Sequence, residues 1–319
     1  MNYKRILSAA LCLCMTAPIA MTISAGNTSA LTLVEDVKTG YTDSYVYKNY
    51  GDHIEITAVM NSVEGAVEVP AEIDGIPVTV IGEHGIAGNA KITSVTLPAT
   101  VTTIGKQAFS YNTALESINI PYGVTEIADE TFMNCMSLSN VTLPGSLTSI
   151  GVRAFYGCRK FTEITVPDSV TSLGAMTFAD CQGLTKINIP TKINKLESAV
   201  FGNCNSLETL IIPENVTFIS KDSLPTHIKN LTIRSSKCEL EDGLYMHITK
   251  ECVITAPYGS PAQEFAETYG LEYKQLFISG VPVMGDVNND GEFGTADAVM
   301  MQKYLLGAGD LTAWDNGDM

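Results

Sequence analysis

Tryptophan occurs once in this 319-residue chain and histidine four times, so a stacked aromatic cleft or a histidine-centred catalytic site has little material to be built from. Basic residues are also scarce: 19 Lys and Arg stand against 35 Asp and Glu, for a formal net charge of −16. A protein that grips nucleic acid needs a basic face to release counterions from the phosphates, and this composition excludes that class of partner. Beyond the amino terminus there is no apolar run approaching the roughly 20 residues that a membrane span requires. What the chain does have is 45% hydrophobic residues, enough for a sizeable core and too many for a disordered chain.

The amino terminus reads as an address. Lys4 and Arg5 precede a run from Ile6 to Ile23 interrupted only by small or neutral residues, and Thr28, Ser29 and Ala30 supply a small-residue cleavage site. This is the layout of a secretory signal peptide. Pro18 and the small polar residues shorten the apolar stretch below that of a membrane anchor. Leu11 and Leu13, preceding Cys12 and Cys14, stand where a lipidation signal needs small residues.

A period of 23 governs the middle of the chain. Pro98, Pro121, Pro144, Pro167, Pro190 and Pro213 are evenly spaced, and so are Phe109, Phe132, Phe155, Phe178 and Phe201. Cys135, Cys158, Cys181 and Cys204 repeat the step, with Asn89 and Asn112 at the two earlier positions. Several residue types in one phase mark a repeat protein. Within a unit, Leu138, Val141 and Leu143 fit an entry residue followed by inward positions of a short strand ended by Pro144. Leu147 and Ile150 mark a second extended piece, after which Gly151 is expected to allow a turn. One unit cannot cover its own apolar edge, whereas units stacked about 4.8 Å apart pair their strands and join their rings into one core. The four evenly spaced cysteines are expected to be buried free thiols, because parallel Cβ vectors hold neighbours beyond disulfide reach.

The unit LPGSLTSIGVRAFYGCRKFTEITVP, Leu143 to Pro167, resembles the BspA-type leucine-rich repeats of bacterial surface and secreted proteins, and the resemblance runs from about Val67 to Ile233. It implies a predominantly β, right-handed solenoid that binds or adheres. The stretch Ile254 to Leu276 is similar to that family's usual ending, with a helix from about Ser260 to Tyr269 and a final strand. Pro70 to Pro98 spans 28 residues, placing a five-residue insertion near Asp74 and Gly75, and Tyr45 to Met60 reads as a hairpin turned at Asn49 to Asp52. The resulting layout is a signal peptide over 1–30, a capping hairpin over 31–66, the solenoid with its closing cap over 67–276, a linker over 277–284 and a distinct module over 285–319.

On the leucine-bearing strand the outward positions are Thr96, Asn119, Thr142, Thr165, Asn188 and Ile211, and on the second extended piece Thr102, Thr125, Thr148, Thr171, Asn194 and Thr217. Two readings remain open: residues that stabilise exposed stacked strands, or a flat polar platform for a protein or glycan ligand. On the platform reading, Asn119, Thr142, Thr165 and Asn188 are the ligand-face candidates. A hydrolase hidden in the solenoid is the rival class. Paired carboxylates across neighbouring coils are needed for glycoside cleavage, and this outward ladder carries only Glu163. His227 and His247 with Cys238 or Cys252 provide the pieces of a thiol hydrolase but no nucleophile motif. A surface adhesin is the third class.

The last module carries the metal chemistry. In GDVNNDGEFGTADAVMMQKYLLG, Asp286, Asn288, Asp290, Gly291, Glu292 and Asp297 occupy positions 1, 3, 5, 6, 7 and 12 of a calcium loop. Short oxygen side chains converge on a hard cation, Gly291 takes the sharp turn, Glu292 offers its carbonyl, and Asp297 stands where an EF-hand has Glu. An amphipathic pattern from Ala296 to Leu306 follows the loop. Loop, single exit helix and KYLLG resemble the first half of a type I dockerin, a helical calcium module that implies attachment to a scaffoldin cohesin in a cellulosome. The resemblance assigns cohesin choice to Thr295, Ala296, Gln302 and Lys303. Asp318 lies 32 residues after Asp286, so the coding sequence is expected to continue into a second loop.

The sequence thus reads as a secreted, extracellular, non-catalytic binding protein, associated with a cell surface or cellulosome, that takes calcium in its last module. Calcium is expected to order the segment after Gly285 while leaving the solenoid's melting unchanged. NMR of tail resonances with calcium and with chelator checks this, and an unresponsive tail contradicts it.

Overall fold

The computed structural model describes residues 37–276, and the signal segment, linker and calcium module lie outside the described residues. The chain winds as a stack of coils, each contributing a short strand to two parallel sheets. The leucine-bearing strands Ile92–Thr96, Ser117–Asn119 and Asn140–Thr142 stack in register, Ser94 against Ser117 and Ser117 against Asn140, so residues 23 apart are neighbours. The second pieces, such as Glu126–Ile127, Ser149–Ile150 and Ser172–Leu173, stack likewise into a threonine-bearing sheet. Alternation buries Val95, Ile118, Ile164 and Leu210 while Thr96, Asn119 and Thr165 face solvent.

Between the sheets runs a column of parallel rings. Phe109, Phe132, Phe155, Phe178 and Phe201 are buried and stack at centroid distances of 5.2–6.1 Å with interplanar angles of 4–13°. The loop carrying each ring forms a third ladder. Gln107, Phe109 and Tyr111 donate their amides to Asp129, Thr131 and Met133 of the next coil, and the pattern repeats at Glu130, Phe132 and Asn134. The residues flanking the ring hold a left-handed backbone at both ends: Gln107, Glu130, Arg153, Met176 and Ala199 on one side, Tyr111, Asn134, Asp180 and Asn203 on the other. At the second position the coil of Phe155 has Gly157, and Asn134, Asp180 and Asn203 are types that tolerate such φ values, whereas nothing about the residue types favours them at the first position.

The caps follow from the need to cover two open sheet edges. At the amino end β1 (Lys38–Tyr41), β2 (Tyr45–Asn49) and β3 (Ile54–Val59) form an antiparallel ribbon, and β1 is a strand that the sequence pattern did not suggest. β3 then runs parallel to β6 (Ile76–Ile81), handing the ribbon over to the threonine sheet, while β4 (Gly65–Glu68) opens the leucine sheet. The insertion near Asp74 is a tight hairpin between β5 (Glu72–Ile73) and β6, with φ of 54° at Asp74 and 78° at Gly75. At the carboxyl end α1 (Pro261–Tyr269) starts at Ser260, whose hydroxyl accepts from the Gln263 amide, and ends at the left-handed Gly270. It buries Ala262, Phe265 and Ala266, and the strand Glu272–Gln275 closes the leucine sheet.

Gly151 opens the turn expected after it, its carbonyl accepting from the Ala154 amide at 3.4 Å, but its φ is not in the left-handed region, and what demands glycine there is space. A Cβ at Gly105, Gly151 or Gly174 would sit 2.7, 2.6 or 2.4 Å from the backbone nitrogen of Glu83, Asp129 or Val152 in the coil beneath. Those same glycines donate to Ile81, Ile127 and Ile150 at 2.7, 2.8 and 2.8 Å. Where Ala128 and Glu197 occupy this phase, the threonine sheet is interrupted, between Ile104 and Glu126 and between Leu173 and Lys195. Ser220 is tolerated, with its amide 3.1 Å from the Leu196 carbonyl. Gly174→Val is therefore expected to cost about 1–3 kcal/mol through overpacking. Ala128→Val, at an existing interruption, should cost less. Urea unfolding of the two variants decides, and equal losses would remove backbone approach as the cause.

Candidate binding surface

The leucine sheet presents Asn119, Thr142, Thr165 and Asn188 on its exposed face, as expected of a polar platform, but puts them to different uses. The Asn119 carboxamide accepts from the Leu97 amide at 2.8 Å and donates to the Leu97 carbonyl at 3.0 Å. Asn188 does the same to Val166, at 2.8 and 2.7 Å. Each amide extends the strand ladder beyond the backbone, which commits both of its hydrogen-bonding ends to the preceding coil. Thr142 and Thr165 make no such bond. They line a groove of about 650 Å³ with Asn140, Thr162 and Glu163, where the leucine sheet is interrupted between Asn140–Thr142 and Glu163–Ile164. On the threonine sheet, Thr148, Thr171 and Thr217 donate their hydroxyls to the carbonyls of Thr125, Thr148 and Asn194, again binding coil to coil.

The cysteines are buried and free, as the spacing suggested, and they carry out a task that spacing alone did not show. The thiols of Cys135, Cys158, Cys181 and Cys204 donate to the carbonyls of Phe109, Phe132, Phe155 and Phe178 at 3.0–3.3 Å. The Asn112 and Asn89 amides donate to Ile86 and Val63, the equivalent carbonyls one period and three residues back. Asn and Cys thus share one role, a compact donor to a carbonyl of the preceding coil; the carbonyls of Phe132, Phe155 and Phe178 also accept the amides of Cys135, Cys158 and Cys181, so there the thiol is a second donor. Burial pushes the Cys135 and Cys204 thiols up to about 12 and raises Cys158 and Cys181 well above the ordinary 9.0.

The pieces of a thiol hydrolase are not assembled. Burial raises Cys238 to about 12 and Cys252 to about 11, the reverse of what a nucleophile needs. Their thiols lie against the carbonyls of Glu239 and Val253, and the His227 ring meets Thr226 at 2.9 Å. Glu163 is exposed and pairs with Lys186 at 3.5 Å. Among the described residues no cluster of three or more His, Cys, Asp or Glu could hold a metal, and no helix is long and apolar enough to cross a membrane. The residues expected to ligate calcium, Asp286, Asn288, Asp290, Glu292 and Asp297, and those expected to set cohesin choice, Thr295, Ala296, Gln302 and Lys303, fall outside the described residues.

A parallel β-solenoid with two short strands, one buried ring and one compact donor per 23-residue coil has the build of a leucine-rich repeat protein. The chain belongs to the BspA-type leucine-rich repeat family, whose profile matches six copies over residues 74–158 and 125–250. Its fold is that of a leucine-rich repeat protein from Bacteroides ovatus ATCC 8483, 24% identical over 77% of each chain with a TM-score of 0.53. The leucine-rich repeat protein of T. pallidum is 25% identical, over 76% of this chain and 97% of that one, with a TM-score of 0.49. Comparison with curated proteins gives no match.

Because the folded thiols titrate higher than unfolded ones, their contribution to stability is full below about pH 9 and is lost as pH rises from there toward 12. Unfolding midpoints should fall across that window, and less so in a Cys158→Ala, Cys181→Ala variant. Iodoacetamide at pH 8.5 should spare the native ladder yet label at least four thiols in denaturant without reductant. Fewer labelled thiols would contradict the free ladder.

Proposed function

We propose that the chain is an exported, non-catalytic binding module, in which the solenoid captures a protein or glycan and the calcium module after residue 285 attaches it to a scaffold cohesin. The observation that carries the first half is the groove holding Thr142 and Thr165, where uncommitted hydroxyls line an interruption of the leucine sheet. A solenoid offers an extended surface on a rigid frame rather than an enclosed pocket, which suits recognition better than catalysis. The second half rests on the sequence alone: the spacing of Asp286, Asn288, Asp290, Glu292 and Asp297 suits calcium, and Thr295, Ala296, Gln302 and Lys303 stand where cohesin choice is made in dockerins.

The two halves separate by mutation. Thr142→Lys with Thr165→Lys should abolish retention on a panel of immobilised polysaccharides and extracellular proteins while the melting temperature holds. The platform's asparagines are poor probes, since Asn119→Ala and Asn188→Ala also remove coil-to-coil bonds and should each lower stability by about 1 kcal/mol. Substituting Thr295, Ala296, Gln302 and Lys303 should abolish capture of an immobilised type I cohesin alone. Hydrolysis of a polysaccharide or protein by the purified chain would overturn the non-catalytic reading.

A further inference from the structure

The loop edge of the solenoid, on neither strand face, carries a second groove, of about 440 Å³. Its floor is the residue after each stacked phenylalanine, and its size changes from coil to coil: Ser110, Met133, Tyr156, Ala179, Gly202. The drop from Tyr156 to Ala179 and Gly202 opens a hollow bounded by a phenol ring at one end. Its walls are the side chains on the two left-handed backbone positions, which project from the coils instead of packing between them. Tyr111 and Asn134 line one wall with Asn203, and Arg153 and Met176 the other.

The polar groups here are uncommitted, in contrast to those of the strand face. The carboxamides of Asn134 and Asn203 and the hydroxyls of Tyr111 and Tyr156 make no hydrogen bond among the described residues, and Tyr111 is 51% exposed. Arg153 directs Nε at the Met176 sulfur, 3.3 Å away, a weak acceptor, and its Nη1 is 3.7 Å from Glu130, beyond hydrogen-bonding range. Glu130 is itself held by Gln107. Asp180, the carboxylate on the opposite wall, is taken by Arg159 at 2.7 and 3.1 Å. The guanidinium facing the hollow is ion-paired with Glu130 at 3.7 Å but gives no hydrogen bond to an oxygen, and its open N–H groups match a carboxylate in charge and in planar fork geometry.

The backbone narrows the class of ligand further. Arg153, Phe155 and Gly157 donate their amides to the next coil, as do Met176, Phe178 and Asp180, so the groove offers no strand edge on which a peptide could pair. What remains is a phenol face, two carboxamides and one guanidinium on a shallow, many-coil surface. Rings of this kind stack on the apolar face of a pyranose, and planar amides bond adjacent hydroxyls. The geometry points to a binding site for an acidic saccharide, with a pyranose over Ala179 and Gly202 against Tyr156 and its carboxylate on Arg153. This site is separate from the Thr142 and Thr165 groove and does not rest on it.

The test is affinity electrophoresis of the full chain at about 0.15 M salt, where exposed charges are screened beyond roughly 8 Å. The gels contain polygalacturonate, hyaluronate or neutral hydroxyethylcellulose. A protein of net charge −16 is repelled by polyanions overall, so retardation reports a site. At least one uronate polymer is expected to retard the chain and hydroxyethylcellulose to do so far less, and which polymer acts identifies the source of the sugar. Arg153→Gln should weaken binding about tenfold or more, as loss of a charge-assisted pair does. Asn203→Gly, which also relieves a φ of 59°, should weaken it without loss of stability, and Thr142→Lys with Thr165→Lys should leave it intact. Lack of retardation by both uronates, equal retardation by the neutral polymer, or indifference to both Arg153→Gln and Asn203→Gly overturns the proposal.

Discussion

Every coil in this molecule must advance by the same small step, and the thickest object repeated in each coil sets that step. The phenylalanine rings stand face to face at 5.2–6.1 Å, slightly wider than the spacing of about 4.8 Å that paired strands prefer. Each strand sheet is interrupted in places, and the interruptions of the two sheets alternate. Between the coils of Ile104 and Ile127, and again between those of Leu173 and Leu196, the threonine sheet is interrupted while the leucine sheet holds. Between Thr142 and Thr165 the leucine sheet opens while Ser149 and Ser172 stay paired. The loop ladder beside the rings runs through all of these junctions, so each coil is always tied at two edges or more.

Polar side chains complete what the backbone leaves undone. A carbonyl 26 residues back receives a side-chain donor in coil after coil, from Asn89, Asn112 and the four ladder cysteines in turn. Asn needs more room than Cys but bonds more strongly; Cys packs as a small apolar residue and bonds weakly. The exchange falls between the coil of Phe109, which carries Asn112, and the coil of Phe132, which carries Cys135. Thr148, Thr171 and Thr217 play the same supporting part on the second sheet.

Much of this was legible in the sequence because a period needs no knowledge of geometry. Evenly spaced Pro, Phe and Cys announced the stack, Asp74 and Gly75 marked the insertion, and Ser260 with Pro261 opened the closing helix where the pattern placed it. What could not be read depends on orientation between coils. Nothing in a lone Gly151 says that the demand is for space beneath it rather than for a turn. Gln107, Met176 and Ala199 hold left-handed backbone although their side chains disfavour it, because the coil on each side fixes the path of the loop. For Asn119 the pattern left a stacking role and a ligand-binding role open, because the Leu97 backbone that takes both ends of its amide lies 22 residues away. The alignment of the cysteines was visible, and their bond to a carbonyl 26 residues back was equally encoded as one period plus three.

A perfectly periodic solenoid would present the same groups on every coil and could not distinguish one position of a ligand from another. Recognition must therefore reside where the period is violated, and the violations are unevenly distributed. The phenylalanine phase is invariant from residue 109 to residue 201, since a smaller ring would leave a void through the stack. One residue further on, the same chain tolerates Ser, Met, Tyr, Ala and Gly in succession. That position faces out of the stack, so its size changes the surface without changing the step between coils. On the leucine sheet the corresponding violations are its interruptions, one between Thr142 and Thr165 and one between Lys186–Ile187 and Thr209–Ile212. The same rigid spacing that forbids variation inside the stack is what holds these irregular surface positions at fixed distances, and fixed distance is what a ligand contacting several coils requires.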